Sequence, residues 1–445
     1  MQWERRPLAE LLRLAGPIAI SMLSYSVMTL VDTLVVGRLG AASLAGVGLG
    51  GMVAFALLCF WFGLLRGAKT LVAQAVGAGR RDLVNAYRAA SLVTAVAAGV
   101  AMIAVGQGVA MLLARFAATP AAGHAASTYL RVRNLAAPMT LVFGALREVR
   151  YGEGDARAPM LASIAANLVN IALSTTFVFA CGWGVAGVAA ATAIAQSAEA
   201  LFLWLGTRRA RGWRGCALER AHFVALARVG LPTAVQLGLE VGAFAILTAF
   251  ISSLSETQMA AHQIALQVCQ FSFLPAFAIA EGAQVLAGQA VGARREELVT
   301  RVARLALFTA GAYTALCSIV FAAGAPLIVA GFTSQVALAA VTVRLLRVAA
   351  LFQISDGANI VARAVLRGVG DMRFAAVVGV ATAWMMTPPL TWLLGAHAHL
   401  GAAGGWLGLC GESVLGATLL WRRLRSGGWR RAPSLVDGGA HAQAA

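Results

Sequence analysis

Residues 67–84 read GAKTLVAQAVGAGRRDLV, and residues 282–299 read GAQVLAGQAVGARREELV. The second stretch lies 215 positions after the first without a gap. Eleven of the eighteen positions are identical, and Asp82 is answered by Glu297. Chance similarity between two Ala/Gly-rich segments does not keep Gln, Arg and a terminal Leu-Val in register. The same offset pairs Pro17 with Pro232. An offset of 216 pairs Leu130, Arg131 and Val132 with Leu346, Arg347 and Val348, and Gly152, Gly154, Asp155 and Arg157 with Gly368, Gly370, Asp371 and Arg373. The chain is two copies of one unit, a duplication that has to be recognised before any fold is assigned.

Hydrophobic residues make up 60% of the chain and charged residues 12%, far from the balance of a soluble domain. Apolar runs of about twenty residues or more recur along the whole length, enough for helices to cross a bilayer. They predict spans at 14–36, 47–68, 87–113, 128–147, 159–181, 184–206, 229–251, 259–291, 302–324, 338–366, 374–395 and 401–421. The expected fold is all-α and integral to the membrane, with twelve transmembrane helices in two six-helix bundles. Residues 1–206 are expected to form the first bundle, 207–228 a cytoplasmic linker, 229–425 the second bundle and 426–445 a disordered tail. An even number of spans per repeat starts both halves on the same side, so the repeats run parallel.

The net charge of +17 reports topology. Arginines and lysines crowd one set of connections, around residues 5–13, 69–81, 147–157, 208–228, 294–304, 363–373 and 422–431, whereas the opposite connections hold Arg38 and Arg115. This positive-inside bias puts both termini in the cytoplasm and makes anionic headgroups, not nucleic acid, the partner of the basic charge. Residues 1–13 read as a short amphipathic surface helix with Trp3 at headgroup depth. Six scattered cysteines lack CxxC spacing and support neither disulfides nor a metal site.

A charge inside a bilayer is costly, so each one calls for a reason. Asp32, Glu240 and Asp356 lie well inside predicted spans. A buried carboxyl resists ionisation unless a cation or proton accompanies it, and a second carboxylate nearby sharpens the effect. A pair of such acids is a natural exchange site for a proton, Na⁺ or an organic cation. Glu199 and Glu412 read as structural acids that pair with a polar helix or sit near a span end. Asn170 can offer an amide oxygen to a cavity or bond a neighbouring helix equally well, and His262 reads as a capped or interfacial residue more than a proton carrier. Enzyme chemistry finds no support: there is no HExxH, no Ser/His/Asp set and no GxxxxGK[ST]. No cofactor is expected.

Several motifs carry a family resemblance: VDTLVVG at 31–37, VAQAVGAGR at 72–80, LREVRYGEGDAR at 146–157, AAHQIALQV at 260–268 and LRGVGDMR at 366–373. Over residues 8–425 the chain resembles the multidrug and toxic compound extrusion (MATE) transporters, above all their NorM-like bacterial branch. The resemblance implies a V-shaped pair of bundles around a central cavity, in a bacterial inner membrane. It implies rocker-switch exchange of an organic, mostly cationic drug or toxin against Na⁺ or H⁺. Glu240, in LGLEVGAF, falls on the branch's span-seven cation-site glutamate. Asp356, in LFQISDGAN, falls on its span-ten aspartate, and the two would hold the metal if Na⁺ is the coupling ion. Asp32 matches the span-one aspartate used for protonation or substrate binding, and Asn170 a span-five polar residue. Phe352 stands where the branch often has Tyr, and Ser174 replaces a second Asn. Both departures remove oxygen or amide ligands and leave proton coupling open. A monomer suffices for such a cycle. The alternative on the same fold is a dedicated exporter or flippase of a metabolite, siderophore or lipid-linked sugar.

Overall fold

The computed structural model describes residues 2–117, 119–211, 218–431 and 435. Among them the chain is all-α, built from thirteen α-helices: α1 Pro7–Gly37, α2 Ala41–Gly77, α3 Arg81–Leu113, α4 Pro120–Asn134, α5 Ala137–Gly152, α6 Arg157–Thr175 and α7 Gly184–Arg211, followed by α8 Arg220–Leu254, α9 Glu256–Gly292, α10 Glu296–Ala330, α11 Val336–Gly368, α12 Met372–Leu390 and α13 Ala402–Arg425. Ten of the described helical segments are long and apolar enough to cross a membrane. The remaining two expected spans coincide with α4–α5 and α13.

The predicted single span at 128–147 is two helices. Proline at position 138 has no amide hydrogen to give the carbonyl of Asn134, so the ladder breaks there. Leu135 and Ala136 bridge the gap with tighter bonds to Val132 and Arg133, and α5 restarts with Pro138 in its first turn.

The duplication written in the sequence reappears in the backbone. A π-helical turn at Thr176–Ala180 follows α6, and its counterpart at Thr391–His397 follows α12, again 215 positions on. Gly152 lies so close to α2 that a Cβ would sit 2.7 Å from the Lys69 carbonyl oxygen, and its copy Gly368 would meet the Gln284 carbonyl at 2.3 Å. No larger residue fits either crossing, which is why glycine stands at both. One local feature did not survive duplication: Gly79 turns out of α2 at φ 73°, whereas its copy Arg294 adopts φ 57°, a region that a residue with a Cβ enters at a cost.

The two compact units do not follow the expected 1–206 and 229–425 boundaries. One unit comprises residues 20–234, the other residues 1–19 and 235–445. The cuts, after Ala19 and after Ala234, are themselves 215 positions apart and lie just beyond Pro17 and Pro232. The reason is length. α1 has 31 residues and α8 has 35, so at 1.5 Å per residue each exceeds the ~30 Å hydrocarbon core by a wide margin. The overhanging heads find their own packing. Buried Trp3 donates its indole N–H to Gln289 Oε1 at 3.2 Å, Glu4 pairs with Arg295 at 3.6 Å, and Leu11 is fully buried beneath Gly282. In the 20–234 unit, Gly230 and Ala234 at the head of α8 lie on Leu64 and Gly63 of α2. The expected surface helix at 1–13 is accordingly a 3-10 turn at Gln2–Arg5 running into α1, with Trp3 inside the protein.

The linker and the tail also differ from expectation. α7 continues to Arg211 and α8 begins at Arg220, with His222 edge-on to Tyr87 at 5.8 Å; the middle of the predicted linker, 212–217, lies outside the described residues. The tail expected to be disordered from 426 instead forms a 3-10 turn at Gly428–Arg431. There Trp429 is buried and Arg430 pairs with Glu296 at 2.9 Å. Residues 432–434 and 436–445 lie outside the described residues.

Each unit has its own core of small and branched side chains. In the 20–234 unit, Leu58, Leu65, Ala95, Met102 and Leu141 join α2, α3 and α5. In the other, Leu247, Ile251, Ala261, Leu345, Ala349 and Trp406 join α8, α9, α11 and α13. The outer faces carry large apolar side chains such as Phe308, Leu327 and Leu351, the surface that lipid, not water, accepts.

Candidate functional site

The unit of residues 1–19 and 235–445 holds a polar network inside its helices. Gln236 and Glu240 are one turn apart on α8, and the Gln236 amide donates to Glu240 Oε1 at 2.8 Å. Arg363 of α11 donates from Nη1 to the same oxygen at 2.8 Å, and Arg367, one turn further on, donates from Nη2 to Gln236 Oε1 at 2.9 Å. Two side chains of α8 and two of α11 thus form one ladder. Gly379 of α12 makes room for it: a Cβ there would lie 2.2 Å from Gln236 Nε2 and 2.7 Å from Glu240 Oε1.

Asp356 lies two turns before Arg363 on α11, so the helical repeat puts both on one face. Its carboxyl accepts a hydrogen bond from Ser413 and feels the charges of Arg363, Glu412 and Glu240. Glu412, beside Ser413 on α13, accepts from Thr387 Oγ1 of α12 at 2.6 Å. Three carboxylates, from α8, α11 and α13, therefore share the neighbourhood of Arg363, with Arg367 one turn further on. Phe352, half-buried one turn before Asp356, brings an apolar ring to the same helix. Elsewhere in this unit, His262 of α9 is completely buried, not interfacial, and accepts the indole N–H of Trp406 on Nδ1 at 3.0 Å.

The unit of residues 20–234 has a smaller polar cluster. Asp32 of α1 accepts from Ser174 Oγ of α6 at 2.9 Å. Asn170 and Thr192 also direct polar groups at its carboxyl, and the Arg133 charge faces it. Asn170 is completely buried and donates from Nδ2 to Thr192 Oγ1 at 3.3 Å, while its Oδ1 has no hydrogen-bond partner. Of the two roles that its sequence position left open, the interhelical bond is the one seen, tying α6 to α7 through Nδ2. Arg133 lies over the Tyr129 ring at 5.7 Å.

At the ends of α2, α3 and α5 this unit is pinned by ion pairs. Lys69, from the repeated stretch, is fully buried 3.3 Å from Glu148, Arg88 meets Glu153 at 2.7 Å, and Arg150 meets Asp155 at 3.1 Å. Lys69 and Glu148 are ionic partners deep in protein, where leaving either charge alone is costly.

The predicted set accordingly splits: Glu240, Asp356 and Phe352 belong to one unit, Asp32 and Asn170 to the other. Among the described residues, no three His, Cys, Asp or Glu side chains gather closely enough to hold a metal ion. The MatE family profile matches residues 17–176 and 232–393, one block per repeat. The chain belongs to the MatE family. These are the MATE multidrug efflux transporters, membrane carriers and not enzymes. A probable multidrug resistance protein NorM of Pseudomonas syringae pv. tomato is 31% identical over 442 residues, covering 93% of this chain and 95% of its own length. Another probable NorM, of Deinococcus radiodurans, is 30% identical over 435 residues, with 94% and 95% covered. Among solved structures, the outward-facing conformation of a multidrug resistance MATE family transporter of the MOP superfamily superposes with a TM-score of 0.88 at 23% identity, covering 96% of this chain and 97% of that one. A MOP superfamily transporter from Pyrococcus furiosus, described as having a binding pocket of reversed polarity that suggests a different function, superposes equally well with the same identity and coverage. The second likeness, like the first, speaks for the fold. This MATE protein is therefore an all-α, multi-pass membrane protein of the transporter fold that the repeat predicted.

Sequence reasoning missed Arg363. The positive-inside pattern groups it with the basic residues of a cytoplasmic connection, whereas it sits inside α11 and bonds Glu240. The signal was available: seven residues after Asp356, within an apolar run, it occupies the acid's own helical face. Gln236 was legible by the same rule, four residues before Glu240. Arg133, Thr192 and Ser413 carried no such mark, because their partners lie on other helices.

Proposed function

We propose that this MATE protein is a secondary antiporter of the bacterial inner membrane, with both termini cytoplasmic. It exports organic, mainly cationic drugs or toxins in exchange for Na⁺ or H⁺ by alternating access. The observation that carries this reading is the clustering of Glu240, Asp356 and Glu412 inside membrane helices around Arg363, with Arg367 one turn away. The two fixed positive charges of Arg363 and Arg367 do not balance three carboxylates, so the group accepts further protons or cations. Binding of the coupling ion lowers the pull on a cationic passenger, and differential affinity of this kind is what lets an ion gradient shift a two-state carrier. In the other unit Asp32, held by Ser174 and attended by Asn170, is the second exchangeable acid. Phe352 contributes apolar surface for the passenger. Acyl, phosphoryl or redox steps have no place in this cycle.

The test is drug efflux from proteoliposomes under an imposed pH gradient and, separately, an imposed Na⁺ gradient, alongside resistance conferred on a sensitive host. Glu240→Gln and Asp356→Asn are each expected to abolish resistance while membrane expression stays at the wild-type level. Full resistance in both variants refutes the assignment.

A further inference from the structure

The inference drawn here rests on the antiport reading and concerns which ion the Glu240 carboxylate takes. That carboxylate already has a cation. Arg363 Nη1 lies 2.8 Å from Glu240 Oε1, and both side chains are largely buried, 17% and 22% exposed. The contact is built from both sides. Gln236 donates to the same oxygen and is itself held by Arg367 from α11, so Glu240 is turned toward α11 and fixed there. Gly379 keeps the space that this rotamer needs.

We infer that Arg363 is a resident counter-ion occupying the cation position at Glu240, so that this acid does not take up sodium. Three features carry the point. A guanidinium keeps its proton at any physiological pH, so its charge is present throughout the cycle and cannot be released as a transported ion can. A sodium ion seeking Glu240 must approach within a few ångströms of that charge, and the repulsion in a low-dielectric interior outweighs what one shared carboxylate returns. Finally, Arg363 Nε is buried without a hydrogen-bond partner. The guanidinium thus keeps donor capacity beyond its bond to Glu240, and its charge also acts on Asp356 two turns earlier on the same helix. Sodium has no comparable vacancy to fill, whereas a neutral side chain at 363 would create one.

The measurement is saturable binding of radioactive sodium to the purified full-length protein, for the wild type, Arg363→Lys, Arg363→Met and Arg363→Met combined with Glu240→Gln. The wild type and Arg363→Lys are expected to bind no displaceable sodium at Glu240. Arg363→Met is expected to bind sodium saturably, with an affinity at least about fivefold above any residual wild-type binding, the lower end of a typical coupling between sites, and the added Glu240→Gln to abolish the gain. Saturable wild-type binding that Glu240→Gln removes overturns the inference. So does a monodisperse Arg363→Met protein that gains no binding. If Arg363→Met does not purify, Arg363→Gln takes its place, and the wild-type arm decides independently. Ethidium efflux is measured in parallel. Sodium results as expected with no efflux from any form refute the export reading and leave the resident counter-ion standing.

Discussion

Gly379→Ala is the substitution whose effect follows most directly from the geometry around Glu240. Glycine in the middle of a helix is normally a weakness, and replacing it with alanine gains about 1 kcal/mol. Here the new methyl carbon would lie 2.2 Å from Gln236 Nε2 and 2.7 Å from Glu240 Oε1, where ordinary contact begins near 3.4 Å. Gln236 must retreat by about 1 Å, which breaks its 2.8 Å bond to Glu240 and strains the 2.9 Å bond from Arg367. Both bonds involve a charged partner, and each such bond contributes about 1.5–3 kcal/mol. Even with partial rearrangement, the losses exceed the helical gain, for a net destabilisation of about 2–4 kcal/mol. Gly311→Ala in α10 is the control, because nothing lies within 4 Å of its added Cβ, and it is expected to gain about 1 kcal/mol. The assay is thermal unfolding in detergent, paired with drug efflux, since displacing Glu240 also disturbs its pairing with Arg363. The reasoning fails if Gly379→Ala melts at or above the wild-type temperature and exports drug normally.

Two further outcomes test other parts of the structure. Arg294→Gly relieves the φ of 57° that its repeat partner Gly79 adopts without strain, and is expected to raise stability by about 1 kcal/mol; a lower melting temperature would contradict this. In the other unit, Asp32→Ala and Ser174→Ala remove the two ends of one 2.9 Å bond. Their effects on thermal stability should be non-additive in a double-mutant cycle, with a coupling of about 1 kcal/mol or more, and additivity would show that the two groups act independently.

How much was legible in advance differs between fold and site. Periodicity exposed the duplication because register is a one-dimensional property: Gly67 and Gly282, Pro17 and Pro232, Gly152 and Gly368 line up without any coordinates. The π-helical turns after α6 and α12 and the two unit boundaries then proved to keep the same offset. Glu240, Asp356 and Asp32 stood out because a bilayer makes any charge in an apolar run conspicuous. Partners on the same helix were within reach of the same logic, through the helical repeat that puts Arg363 below Asp356 and Gln236 above Glu240.

Composition, repeat and hydropathy by themselves determined that this chain is a duplicated helical membrane protein with acids in its spans. Tertiary structure alone decided whom those acids meet. Hydrophobic burial depends on the kind of residue, so a sequence reveals it; an ion pair depends on the angle and depth at which two helices cross, which no single stretch encodes. That is why Glu240 reads from the sequence as an open cation ligand and is found holding Arg363. For the same reason the heads of α1 and α8 left the bundles to which chain order assigned them: their length made an overhang certain, and only packing around Trp3 and Gly230 chose where it would go.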